Sequence, residues 1–133
     1  MIYQLVQNDK KYWEFIRNLR NDSQVKKGFI QQKDVEAEEH EQFMNRNGER
    51  FYICLLNDTP VGYVRSINGD ISVATSPDYQ KMGVGKFMIN EIMKIFPKSY
   101  AKVKIENEAS LKLFESCGFE KKYYVLEKNE RQL

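Results

Sequence analysis

The stretch Gln80-Lys81-Met82-Gly83-Val84-Gly85 constrains this chain more than any other. It sits between a strand-like run, Ile71-Ser72-Val73-Ala74-Thr75, and an apolar-periodic stretch beginning Lys86-Phe87-Met88-Ile89. A strand ends, the chain turns and a helix starts within a few residues. The first N–H groups of a helix have no partner inside it, and the helix dipole adds partial positive charge at the same end. Glycine lets a ligand approach the backbone where a Cβ would block it. Such a turn suits a phosphate or pyrophosphate, although a plain turn is the competing reading. The spacing is neither the Gly-x-Gly-x-x-Gly of dinucleotide folds nor the Gly-Lys-Ser/Thr of P-loops.

The segments around this turn predict alternating α and β elements. Ile2 to Val6 and Phe51 to Leu56 read as strands, and Val61 to Ile67 and Asp70 to Thr75 as two more joined at Asn68-Gly69, a hairpin signal. Asn57-Asp58-Thr59-Pro60 reads as a turn. Helical spacing of Tyr12, Phe15, Ile16 and Leu19 predicts a helix over 9–20, and a Glu-rich helix is expected over 34–45. The stretch from Gln24 to Gln32 reads equally as a short helix or an ordered loop. A helix is expected from Gly83 to Phe96, closed by Pro97. Ala101 to Ile105 reads as a fifth strand, Asn107 to Cys117 as the last helix, and Phe119 to Lys128 as a closing strand. Successive strands followed by a strand–loop–helix unit predict a mixed sheet.

Two blocks carry a family resemblance. Gln80 to Gly85 matches Gln/Arg-x-x-Gly-x-Gly/Ala, and Asn107-Glu108-Ala109-Ser110 through Gly118-Phe119 matches an Asn-x-x-Ala/Ser helix ending in Gly-Phe. Together, in this order, they resemble the GNAT N-acetyltransferase superfamily, best over residues 61–126. The resemblance implies an α/β fold (α+β in some schemes) over a single domain, 1–133. Its mixed, mostly antiparallel sheet should have about six to seven strands flanked by about four helices. Two neighbouring strands splay apart in that fold and hold the pantetheine arm of acetyl-CoA.

The resemblance also implies roles. Main-chain N–H groups from Lys81 to Lys86, that is Lys81, Met82, Gly83, Val84, Gly85 and Lys86, contact the pyrophosphate, and Gln80 shapes the turn. Val73, Ala74 and Thr75 pair with pantetheine, with an N–H at Val73 or its neighbour as oxyanion donor. Asn107, Ser110 and Phe114 lie near the cofactor. Many relatives carry a tyrosine where this chain has Phe114, which has no hydroxyl to protonate a leaving thiolate. Tyr123 is a candidate substitute, with Tyr79 and Tyr124. For the base, His40 is the only histidine, and its unperturbed pKa near 6.5 suits the role. Glu106 is a second candidate and Asp70 a third. Solvated surface is the competing reading for His40 and Glu106. No metal is implied.

Bulk properties narrow the partners. A net charge of +2 with scattered lysines argues against a nucleic-acid partner. No apolar run approaches a membrane span, no signal-peptide pattern opens the chain, and Cys54 and Cys117 read as free thiols. A cytoplasmic protein is expected, with a homodimer left open. The expected reaction is acetyl transfer from acetyl-CoA to a primary amine by direct attack in a ternary complex. A small-molecule acceptor is favoured. Leu19-Arg20-Asn21-Asp22, Glu39-His40-x-x-Phe43 and Gly62-Tyr63-Val64-Arg65 resemble the subset acting on nucleotide-linked amino sugars. Arg20 and Arg65 are candidates for a phosphate or carboxylate. A protein N-terminal or lysine acetyltransferase and a non-catalytic acetyl-CoA-binding module are the alternatives.

Overall fold

The fold was read from a computed structural model, which describes residues 2–129; Met1 and residues 130–133 of the expected 1–133 domain lie outside them. Five strands form one sheet in the order β1-β2-β3-β4-β5. They are β1 (Tyr3–Gln7), β2 (Phe51–Leu56), β3 (Thr59–Ile67), β4 (Asp70–Thr75) and β5 (Tyr100–Ala101). The first four pair antiparallel, and β4 pairs with β5 in parallel. Both hairpin turns use left-handed backbone, at Asn57 and Asp58 in one and at Asn68 and Gly69 in the other. This matches the twist of the flanking strands. Thr59 and Pro60, expected in the turn, belong to β3, and its register against β2 slips between Cys54 and Leu55 of β2.

Helices cover both faces. On one lie α1 (Trp13–Asn21), the single-turn α2 (Ser23–Lys26) and α3 (Ala37–Asn47). Ile16, Leu19 and Met44 of these helices pack with Phe51, Ile53 and Tyr63 of the sheet. On the other lie α4 (Val84–Ile95) and α5 (Glu108–Ser116). Val84, Met88, Ile89 and Ile92 from α4 and Phe114 from α5 pack there with Cys54, Val64 and Ile71. The period of two along each strand assigns alternate side chains to these separate cores. Asp22 caps α2 by accepting from the N–H groups of Gln24 at 2.9 Å and Val25 at 3.2 Å.

The sheet is smaller than expected at its far end. The fifth strand, read over Ala101 to Ile105, is a two-residue ladder with pairs Asp70↔Tyr100 and Ile71↔Ala101. Beyond it the two chains separate, so Val103 and Ile105 keep the alternation of a strand without a partner. Residues 119–128, read as a closing strand, join no ladder. Their strand-like composition reflects a preference for a pleated, half-buried surface, and Tyr123 is instead 91% exposed. Among the described residues the sheet therefore has five strands where six to seven were expected.

Candidate active site

The turn before α4 has the geometry its sequence demands. Gly83 is the N-cap residue with φ +82° and ψ 7°, and no side chain caps the helix. The first helical bond runs from the Phe87 N–H to the Gly83 carbonyl at 3.0 Å. The amides of Val84, Gly85 and Lys86 precede it and point out of the helix end. Lys81 also has positive φ, +62°. The Tyr3 hydroxyl donates to the Met82 carbonyl, pinning the turn to the first strand. A Cβ on Gly85 would lie 2.9 Å from Leu113 Cδ2, so glycine there lets α5 close against α4.

Where β4 leaves β5, a cleft of about 600 Å³ opens. Val73, Ala74 and Thr75 form its sheet wall, Gln80, Lys81, Gly83, Val84, Gly85 and Lys86 its loop end, and Asn107 and Ser110 its α5 wall. All of these were expected to hold the cofactor. Met82 does not line the cleft; its side chain packs on the α4 core. Phe114 is buried and lines a neighbouring cavity instead, with its ring 5.1 Å from that of Phe119. Asn107 caps α5 by accepting from the Ser110 N–H at 3.1 Å, and its amide donates to the Gly28 carbonyl at 3.3 Å. Lys104 Nζ donates to the Lys27 carbonyl at 3.2 Å. These two bonds hold the turn after α2 over the cleft.

A second cavity of about 390 Å³ adjoins the first. The two share Gly28, Phe29, Val73, Asn107 and Ser110 as lining. The second alone is lined by Arg20, Tyr63, Arg65 and Asp70. Tyr63 is 1% exposed, and burial pushes its phenol up to about 12 despite the opposing pull of Arg20 and Arg65. Burial likewise lowers the pKa of Arg65, with Tyr63 and Asp70 acting the other way.

The structure separates the three residues proposed for catalysis. Glu106 is exposed and lines the larger cleft. Tyr123 lines neither cavity, because the segment carrying it leaves the sheet. His40 also lines neither and is only 2% exposed. Its Nε2–H donates to the Trp13 carbonyl at 2.7 Å, and its Nδ1 has no partner among the described residues. Burial lowers its pKa below the usual histidine value. It thus joins α3 to the start of α1, neither solvated surface nor cleft wall. Of the alternatives, Tyr79 lines the larger cleft and Asp70 the smaller.

Sequence reasoning did not single out Tyr63, Phe29 or Tyr3. Alternation along β3 puts Tyr63 on the same face as Arg65, a signal that was available. Phe29 and Tyr3 act through contacts across the fold that no local pattern encodes. Among the described residues, no group of three or more His, Cys, Asp or Glu is placed to hold a metal ion, and no helix is long and apolar enough to cross a membrane.

Comparison with known proteins agrees with this architecture. An uncharacterised N-acetyltransferase of Methanocaldococcus jannaschii is 25% identical over 99 residues, covering 62% of this chain and 44% of that protein. The chain thus matches less than half the length of that relative. A spermidine N-acetyltransferase from Vibrio cholerae, solved with CoA and spermine, superposes with a TM-score of 0.78 at 21% identity, over 95% of this chain and 85% of that one. The aminoglycoside N-acetyltransferase AAC(6')-Iy, solved with CoA, superposes with a TM-score of 0.73 at 18% identity, over 98% and 95%. These two likenesses are of fold. The sequence model of the acetyltransferase (GNAT) family matches residues 13–119. With most of the chain inside that match, and the glycine turn and splayed strands inside it too, the protein belongs to the acetyltransferase (GNAT) family.

Proposed function

We propose that this chain moves an acetyl group from acetyl-CoA to a primary amine, with a small-molecule acceptor favoured. The observation that carries the reading is the meeting of two cavities at Val73, Asn107 and Ser110, one of them headed by the bare N-terminus of α4. The pyrophosphate rests on the amides of Gly83 to Lys86, where helix-end N–H groups and dipole favour an anion. Pantetheine runs along the edge of Val73 to Thr75 left open by the splay. The thioester then lies at the shared wall, and the amine approaches from the smaller cavity.

The amine nitrogen attacks the thioester carbonyl, the C–S bond breaks, and the new amide forms. A main-chain N–H at Val73 or its neighbour holds the developing oxyanion; losing one such donor costs about 3 kcal/mol of barrier. The amine's proton passes to a carboxylate, directly or through water, with Glu106 and Asp70 as the acids lining the two cavities. The thiolate takes a proton from a phenol or from solvent. Phe114 supplies none. Tyr79 and Tyr63 are the phenols that line the cavities; Tyr63, pushed up to about 12, is too weak an acid to protonate a thiolate, which leaves Tyr79 as the phenol for that step. A thiol pKa near 8.5 makes unassisted departure tolerable. The finer reading of the acceptor is a nucleotide-linked amino sugar, supported by the resemblance around Arg20 and Gly62 to Arg65.

Titration calorimetry with acetyl-CoA, paired with thiol release against a panel of amines, tests this. Binding together with amine-dependent thiol release is expected. Binding with release at background for every amine would leave only a non-catalytic acetyl-CoA-binding module. Folded protein that gives no binding heat would remove both readings.

A further inference from the structure

Resting on that transferase reading, we propose that the acceptor amine also carries an oxyanion, a carboxylate or phosphate ester, gripped by Arg20 and Arg65 beside Tyr63, and that polycationic amines are rejected. Arg20 and Arg65 line the smaller cavity and are absent from the wall shared with the larger cleft. They therefore mark its end away from the expected thioester. Neither guanidinium has an ion pair or a side-chain hydrogen bond among the described residues. Each is oriented by an aromatic face: Arg20 lies 5.4 Å from the Phe43 ring centre and Arg65 5.9 Å from that of Phe51. A guanidinium held over a ring face keeps its N–H donors available to an oxyanion.

The charges explain why a ligand is expected. Among the described residues, Arg20, Arg65 and Lys102 line this cavity against Asp70 as its one acid. Arg65 is largely withdrawn from solvent, with Asp70 attracting it and Arg20 acting as a like charge. Withdrawing cations from water is costly unless opposite charge compensates; Asp70 is one acid for three cations, and an anionic ligand supplies the rest. Tyr63 adds a donor: its hydroxyl makes no hydrogen bond among the described residues, and its raised pKa keeps the proton on. A polyamine or aminoglycoside would bring positive charge to a positive wall. The spermidine and aminoglycoside enzymes that share this fold do so at 21% and 18% identity, too distant to carry their acceptors across.

The test titrates protein saturated with CoA with glucosamine 6-phosphate, L-glutamate, glucosamine and spermidine, and follows thiol release from acetyl-CoA with the same amines. At least one anionic amine is expected to bind ten-fold or more tightly than glucosamine, with spermidine weakest. The carboxylate and phosphate arms tell which oxyanion is preferred. Arg20→Gln and Arg65→Gln should each weaken that amine about ten-fold, Arg65→Lys less, while CoA affinity stays put and circular dichroism stays native. Equal or tighter binding of glucosamine or spermidine would overturn the proposal. So would full retention in the double Arg20→Gln/Arg65→Gln protein, or no binding of either anionic amine. If CoA itself fails to bind, the transferase reading falls. Inorganic phosphate titrated into the free protein then tests the arginine pair, as heat lost in the double variant and kept in Gly83→Val; equal heat in parent and double variant overturns it.

Discussion

The two cavities that meet at Val73 are built from different material. The larger one is headed by main-chain amides, and its critical residues are glycines whose role is to have no side chain. The smaller one is walled by residues from six segments, α1, the turn after α2, β3, β4, the run after β5 and α5, and its character comes from arginines and a buried tyrosine. Amides at a helix end present the same anion site whatever the neighbouring residues are. Side-chain walls change with each substitution. A fold made this way keeps its acyl donor and varies its acceptor.

The contrast breaks most readily at the turn. Gly83→Val places a β-branched residue at φ +82°, a strain on the order of 1–3 kcal/mol or more. It should weaken acetyl-CoA binding by roughly 100-fold in calorimetry, while the affinity of the acceptor for the smaller cavity changes little. Equal losses at both sites would mean that the cavities are not separately built. Arg65→Gln makes the opposite cut: a rise of about ten-fold in KM for the acceptor, equivalent to about 1.4 kcal/mol, with KM for acetyl-CoA unchanged.

Smaller effects sharpen the same boundary. Tyr3→Phe removes the hydroxyl that holds the Met82 carbonyl. With a hydrogen bond worth about 1 kcal/mol, KM for acetyl-CoA should rise about five-fold without an effect on acceptor KM. Asn107→Ala removes the α5 cap and the bond to Gly28, on the wall that both cavities share. It should cost about 1 kcal/mol of stability in urea unfolding and raise both KM values modestly. His40 gives the smallest effect and lies off both sites. Its folded pKa is depressed by burial, so the unfolded chain binds the proton more readily. The stability it contributes is therefore present above the ordinary histidine value near 6.5 and is lost as pH falls below it. Denaturant melts at pH 7 and 5.5 should show that loss, and His40→Gln should flatten it.

Much of the frame was legible before any coordinates. The runs 51–56 and 70–75 became strands with those bounds, because turn residues close them on both sides. The glycine turn was legible for the same reason: a positive φ at a helix start leaves few alternatives to glycine. The failures share a cause. Val103, Ile105 and residues 119–128 have strand composition, but a strand exists only where another backbone offers a ladder. Whether one does is decided by the path of distant chain. His40 was misplaced because the acidic residues around it are exposed while its own position faces α1.

The sequence by itself determined most of the elements up to α5, the glycine turn before α4 and the family, since each rests on local backbone preference or on residues adjacent in the chain. Only the tertiary structure decided where the sheet stops, which side chains line the two cavities and that His40 is walled off. Those outcomes depend on contacts between segments far apart in sequence, such as Tyr3 with Met82 and Asn107 with Gly28, each 79 residues apart. No local pattern encodes such contacts, because the free energy that selects them comes from burial and pairing across the whole fold.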